Sequence, residues 1–149
     1  MQTFYMTDAG KVRTHNEDNV TIISNNNNEF ILAVADGMGG HKAGEVASNI
    51  AIEHITESFE SIESLGKKED AIDYLRRIVK EINEKIFSYT KNHPESKGMG
   101  TTLVIAIKTN DYILYGNIGD SSGYAIKNEK LHKITHDHTL VNLLVSTGE

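Results

Sequence analysis

Apolar residues along this chain change their spacing twice, and the changes divide it into strand, helix and strand regions. Val20–Ser24 and Phe30–Ala35 carry strand signals on either side of the polar turn Asn25-Asn26-Asn27-Asn28. An earlier strand is predicted at Gln2–Thr7, ahead of the turn Asp8-Ala9-Gly10. From Glu45 the period becomes helical: Ala47, Ile50, Ala51, His54, Ile55, Phe59 and Ile62 share one stripe. Ile72, Leu75, Ile78, Val79, Ile82, Ile86 and Tyr89 form a second stripe with charges opposite, and Gly66-Lys67-Lys68 separates the two helices. The second helix should stop before Asn92-His93-Pro94. Strand signals then return. Thr102–Lys108 and Tyr112–Ile118 flank Thr109-Asn110-Asp111, and Gly123–Lys127 and Lys130–Ile134 flank Asn128-Glu129. A last helix is expected from near Asp137 through Leu140, Leu143 and Leu144. This order predicts one α+β domain over 1–149, a mostly antiparallel sheet covered by helices.

The first hairpin gathers acid groups. A symmetric four-residue turn makes Ser24 face Glu29, which places Glu17 opposite Asp36 and Asp18 opposite Ala35. Opposed side chains in an antiparallel pair lie about 5 Å apart at Cβ, where like charges repel. A divalent cation makes such a cluster favourable, and oxygen-only ligands favour a hard one, Mg²⁺ or Mn²⁺. A solvated, repelling strand end is the simpler alternative. The same count across Thr109–Asp111 puts Gly100 near Asp120 and Thr101 near Gly119. Gly119-Asp120-Ser121 is either an ordinary turn or a fourth carboxylate beside the close-approach backbone Gly98-Met99-Gly100. Arg13 precedes the carboxylate strand and is either a surface arginine or a two-pronged phosphate grip.

Gly37-Met38-Gly39-Gly40-His41-Lys42-Ala43-Gly44 fails the phosphate-loop pattern, because Glu45 follows the last glycine where Lys-Ser/Thr is required. Nor does it have the spacing of a dinucleotide loop. His41 is a candidate general acid from this loop or a solvated histidine. His136-Asp137-His138 has the look of a metal clip, yet residues two apart point to opposite faces of a strand, and Asp137 suits a helix cap better.

Composition narrows the chemistry. A formal charge of −6 argues against nucleic acid or an anionic membrane as partner. With no cysteine, the chain has no disulfide, no thiolate metal site and no phosphocysteine route. Met1-Gln2-Thr3-Phe4-Tyr5 lacks the features of a signal peptide, and no apolar run approaches membrane-spanning length, so a soluble cytoplasmic protein is expected.

Taken together, Arg13-Thr14-His15-Asn16-Glu17-Asp18, Asp36-Gly37-Met38-Gly39-Gly40-His41, Gly98-Met99-Gly100-Thr101-Thr102 and Gly119-Asp120-Ser121 closely resemble the ordered motifs of PP2C-type (PPM family) serine/threonine protein phosphatases, the bacterial branch best. Asp137-His138-Thr139-Leu140-Val141-Asn142 extends the resemblance almost to residue 149. The resemblance implies two packed, mostly antiparallel sheets flanked by helices. It implies hydrolysis of phosphoserine and phosphothreonine in proteins, with Mg²⁺ or Mn²⁺ at a two-metal centre and no covalent intermediate. By resemblance Asp36 bridges both ions, the Gly37 carbonyl binds one, and Glu17 and Asp18 hold metal-bound waters. Arg13 grips phosphoryl oxygens, and Asp120 helps bind a third ion. An opposing serine/threonine kinase is the partner the family implies.

Two departures qualify the match. Ser122 stands where the family usually has arginine after Gly-Asp-Ser. Family members also continue to two further aspartate motifs that complete the first metal site, so the chain resembles the N-terminal half to two thirds of such a domain. Little turnover is expected from it alone, with unpaired strand edges prone to association. The alternative is a non-catalytic module of the same fold that binds phosphoproteins or metal.

Overall fold

In the computed structural model, which describes residues 1–40 and 42–138, two helices lie on one face of an antiparallel sheet. The strands are β1 (Asp18–Ser24), β2 (Phe30–Met38), β3 (Gly100–Thr101), β4 (Leu103–Lys108) and β5 (Ile113–Ile118). The order is β1-β2-β4-β5, with the short β3 paired to the far end of β2. A separate two-stranded ribbon comprises β6 (Tyr124–Lys127) and β7 (Lys130–Lys133). The helices are α1 (Ala43–Glu60) and α2 (Lys68–Asn92). The expected α+β layout is present.

Strand alternation assigns the two faces. Ile31, Ala33 and Ala35 of β2 and Leu103, Ile105 and Ile107 of β4 are buried with Ala51, Ile55, Phe59, Ala71, Ile78 and Ile82 of the helices. Ala51, Ile55, Phe59, Ile78 and Ile82 belong to the stripes predicted from spacing, while Ala71 and Tyr74 extend the buried face of α2 beyond them and Ile72, Leu75 and Val79 are only half-buried. The opposite face carries Val34, Ile113 and Tyr115, all exposed. The ribbon's base approaches that face: a Cβ on Gly123 would lie 3.4 Å from Val104 Cγ1.

Several expectations are corrected. Gln2–Thr7 forms no strand, and Phe4 and Met6 are 84% and 78% exposed. Among the described residues no strand pairs with this segment. β2 runs on through Asp36 and Gly37 to Met38, so the glycine loop begins inside a strand. α1 starts at Ala43, before Glu45, and Ile62 lies beyond its end while still packing on the core. The expected last helix falls largely on residues 139–149, outside the described residues; Asp137 and His138 themselves are not helical.

The registers of the first two hairpins differ from the symmetric count by one residue. In the first, Ser24 pairs with Phe30, and hence Asp18 with Asp36. Asn25 N–H donates to the Glu29 carbonyl (3.1 Å) and Asn28 N–H to the Asn25 carbonyl (3.1 Å), while Asn28 takes a left-handed φ of 57°. That is a three-residue loop built on a turn plus a left-handed residue, which four asparagines in a row conceal. In the second, Lys108 pairs with Ile113, because Thr109 Oγ1 accepts from the Asp111 (3.2 Å) and Tyr112 (3.1 Å) amides and draws Tyr112 into the turn. The third hairpin has its expected register. Asn128 and Glu129 both have positive φ, 52° and 62°, as a two-residue turn requires.

Candidate metal and phosphate site

The one-residue shift changes which acid faces which. Asp18 is directly opposite Asp36, on the face away from the helices. Glu17 is one residue beyond β1, and its carbonyl accepts from the Gly37 amide at 3.1 Å. Alternation turns its side chain toward α1: a Cβ on Gly44 would sit 2.9 Å from the Glu17 carboxyl carbon. The expectation that Glu17 opposes Asp36 is therefore corrected to Asp18.

Glycine is required where the strand end meets the helix. A Cβ on Gly37 would lie 2.0 Å from the Gly44 carbonyl oxygen and 2.7 Å from the Glu17 carbonyl oxygen. No side chain fits at either glycine without moving backbone.

Asp36 is held by its main chain. Its amide donates to Thr102 Oγ1 (3.1 Å), and its carbonyl accepts from the Thr102 amide (2.9 Å) and Thr101 Oγ1 (3.1 Å). Thr102 Oγ1 in turn shares a 2.7 Å hydrogen bond with Ser121, tying this strand to the Gly119-Asp120-Ser121 loop. The observed register sets Thr102 opposite Gly119, where Thr101 was expected, and Thr102 Cγ2 lies 2.7 Å from any Cβ at 119.

The Asp36 carboxyl is raised above its ordinary pKa of 3.8. Partial burial contributes most, followed by the charge of Asp18, a hydrogen bond with Asp18 and the charge of Asp120; Arg13 acts in the opposite sense. Asp18, Asp36, Asp120 and Arg13, far apart in sequence, thus share one electrostatic neighbourhood. Among the described residues no three acidic or imidazole groups enclose a space that would hold an ion. The donor set is all-oxygen and repulsive, which fits a hard cation in charge and ligand type. It does not by itself surround one.

A family profile described as protein phosphatase 2C matches residues 9–146. The chain belongs to the protein phosphatase 2C family. A serine/threonine phosphatase, stp, of Listeria monocytogenes is 41% identical over the whole chain, which covers 59% of that protein. The crystal structure of the serine/threonine phosphatase Stp1 from Staphylococcus aureus shares 41% identity with a TM-score of 0.86, covering 96% of this chain and 56% of that one. The catalytic domain of the phosphatase PstP, solved in complex with two manganese ions, shares 36% identity with a TM-score of 0.80, covering 95% of this chain and 57% of its own. The protein phosphatase 2C chain described here thus spans about three fifths of the length of the relatives it matches.

Within this family member, the sequence motifs that converge on Asp36 are those of Arg13, Asp18 and Asp120. His41 lies outside the described residues. The His136-Asp137-His138 segment lies against the 119–121 loop, the His138 amide donating to the Gly119 carbonyl at 2.9 Å; Asp137 Oδ1 pairs with Lys133 Nζ at 2.6 Å, and Asn117 Nδ2 donates to the His136 carbonyl at 2.7 Å. Thr102 and Ser121 were visible only as members of two motifs, and the hydrogen bond that joins them was not foreseen. Thr102 reads as the start of the strand Thr102–Lys108, and its role appears only once β2, β4 and the 119–121 loop are adjacent. Among the described residues no helix is long and apolar enough to cross a membrane.

Proposed function

We propose that the protein hydrolyses phosphoserine and phosphothreonine in other proteins with Mn²⁺ or Mg²⁺ held at the Asp18–Asp36 end of the sheet. One observation carries this reading: Asp18 and Asp36 are opposed in register, with Asp120 and Arg13 close enough to act on Asp36. Asp36 is the central ligand of this proposal, with Asp18, Glu17, the Gly37 carbonyl and Asp120 contributing around it. Bound there, a pair of divalent ions would lower the pKa of water and offset charge on the phosphoryl oxygens. The chain's own groups do the rest. Arg13 is the positive side chain available to hold a phosphoryl group by parallel hydrogen bonds. Thr101 and Thr102 keep Asp36 from turning away. His41 is proposed as general acid to the leaving serine or threonine oxygen. The substrates in this reading are phosphoproteins, with a serine/threonine kinase as the opposing activity.

A second reading has its own support. Because no three described groups enclose an ion, this chain alone is a candidate for metal or phosphoprotein binding with little turnover. A phosphothreonine peptide assay with and without Mn²⁺ separates the two. Mn²⁺-dependent phosphate release, lost in Asp36→Asn, supports the phosphatase. Mn²⁺ binding without release supports the binding module, and neither response in the full chain counts against both.

A further inference from the structure

The side of β1 that faces α1 is polar where the neighbouring strands are apolar. Ser48, 1% exposed, donates from Oγ to the Glu17 carbonyl at 2.6 Å. The next residue, Asn49, accepts from Asn19 Nδ2 through Oδ1 at 2.7 Å. Asn19 Oδ1 in turn accepts from the Val20 amide (2.7 Å). Two turns along the helix, Thr56 Oγ1 and Thr21 Oγ1 share a longer 3.2 Å bond. Consecutive residues of α1 thus grip the residues on either side of Asp18.

This pattern is costly unless it does something. A buried hydroxyl is tolerated only when hydrogen-bonded, and an apolar residue would pack at 48 as Ala47 and Ala51 do. The Glu17 carbonyl already accepts from the Gly37 amide, which satisfies it. Ser48 adds a second and shorter bond to the same oxygen. That bond fixes the peptide leading into Asp18, at the point where the strand would otherwise fray away from two like-charged neighbours.

We infer that Ser48, seconded by Asn49, is a positioning residue that holds the end of β1 so that Asp18 stays opposite Asp36 without a cation to draw them together. The inference rests on the metal-site reading above, and it assigns α1 a part in that site beyond covering the core. Outer-sphere partners of metal-binding carboxylates commonly change metal affinity by about 10- to 100-fold when removed.

The test uses the full chain and three variants, Ser48→Ala, Asn49→Ala and Thr56→Val, each with two measurements below its melting temperature. Thr56→Val removes a contact of the same interface that does not flank Asp18. In metal-free protein, amide exchange at Gly37 should quicken by about 10-fold in Ser48→Ala and stay unchanged in Thr56→Val. In Mn²⁺ titrations followed by NMR line broadening, affinity should fall about 10-fold in Ser48→Ala and less in Asn49→Ala. Thr56→Val should bind as wild type even where its melting temperature drops. The inference is overturned if Ser48→Ala lowers the melting temperature but leaves Mn²⁺ affinity and Gly37 exchange alone. It is equally overturned if Thr56→Val matches Ser48→Ala in both. A wild-type chain without Mn²⁺ broadening defeats the metal-site reading instead, and the exchange measurement then decides by itself whether Ser48 holds the strand end.

Discussion

The β1–β2 hairpin has a carboxylate at each end, and the two are treated in opposite ways. At the turn, Glu29 is buried, and its oxygens accept from Asn25 Nδ2 (2.6 Å), the Leu65 amide (2.9 Å) and Ser64 Oγ (3.2 Å). At the other end, the neighbours acting on the Asp36 carboxyl are Asp18, Asp120 and the more weakly felt Arg13. One acid is supplied with donors by the fold; the other is placed among acids. The first arrangement closes a loop, while the second leaves an unmet demand for positive charge. A carboxylate's surroundings, more than its presence, separate a structural acid from a site.

Removing each acid should therefore produce opposite phenotypes. Glu29→Ala strands the buried Leu65 amide and leaves Asn25 Nδ2 only its 3.2 Å bond to the Glu63 carbonyl, and should cost about 3 kcal/mol of stability while leaving Mn²⁺ affinity intact in the folded fraction. Urea denaturation with and without Mn²⁺ measures both. Asp36→Asn should weaken Mn²⁺ binding by more than about 100-fold, beyond what loss of an outer-sphere partner causes. In metal-free protein the same change should raise stability, because it relieves like-charge repulsion worth about 0.5 kcal/mol. If Asp36→Asn destabilised the metal-free chain as Glu29→Ala does, the distinction between the two ends would collapse.

Smaller effects sharpen it. Gly44→Ala would press a methyl against the Gly37 backbone and the Glu17 carboxyl, and should cost about 2 kcal/mol together with metal affinity. Gly40→Ala meets nothing within 4 Å and should change neither. Thermal melts paired with Mn²⁺ titration compare them.

The smallest expected effect is in pH. The folded Asp36 pKa is raised, so its contribution to metal-free stability is fully present below 3.8 and is lost as pH rises through the raised value. Glu81 has the opposite sign. Its hydrogen bonds with His54 and then Arg77 lower its pKa, so that stability is present above 4.5 and lost as pH falls. Melting curves of wild type and Asp36→Asn should converge near pH 4 and separate by a few tenths of a kcal/mol at pH 7, with Asp36→Asn the more stable. A gap that widens toward acid would have the wrong sign.

Much of this was legible in the chain. The two helices, most of their buried stripes and the three hairpins followed from spacing and turn chemistry alone. The motifs around Arg13, Asp18, Asp36 and Asp120 were visible as residues that a buried sheet does not want. What escaped were the registers, because they turn on single residues. Asn28 adopts a left-handed conformation, and Thr109 captures two amides through its hydroxyl. Each changes the loop by one residue and so swaps the face of every side chain counted from it. That is why Glu17 was expected where Asp18 stands. The contacts of Ser48 and Thr102 were invisible for another reason, since their partners lie 31 and 66 residues away.

The central claim is that Asp18 and Asp36 jointly hold a divalent cation. Electron paramagnetic resonance of free Mn²⁺, titrated with wild type, Asp18→Asn, Asp36→Asn and Glu29→Gln, tests it most directly. The account predicts that wild type and Glu29→Gln deplete the free-ion signal alike while both aspartate variants leave it nearly unchanged. Equal depletion by all four proteins, or none by wild type, would contradict it.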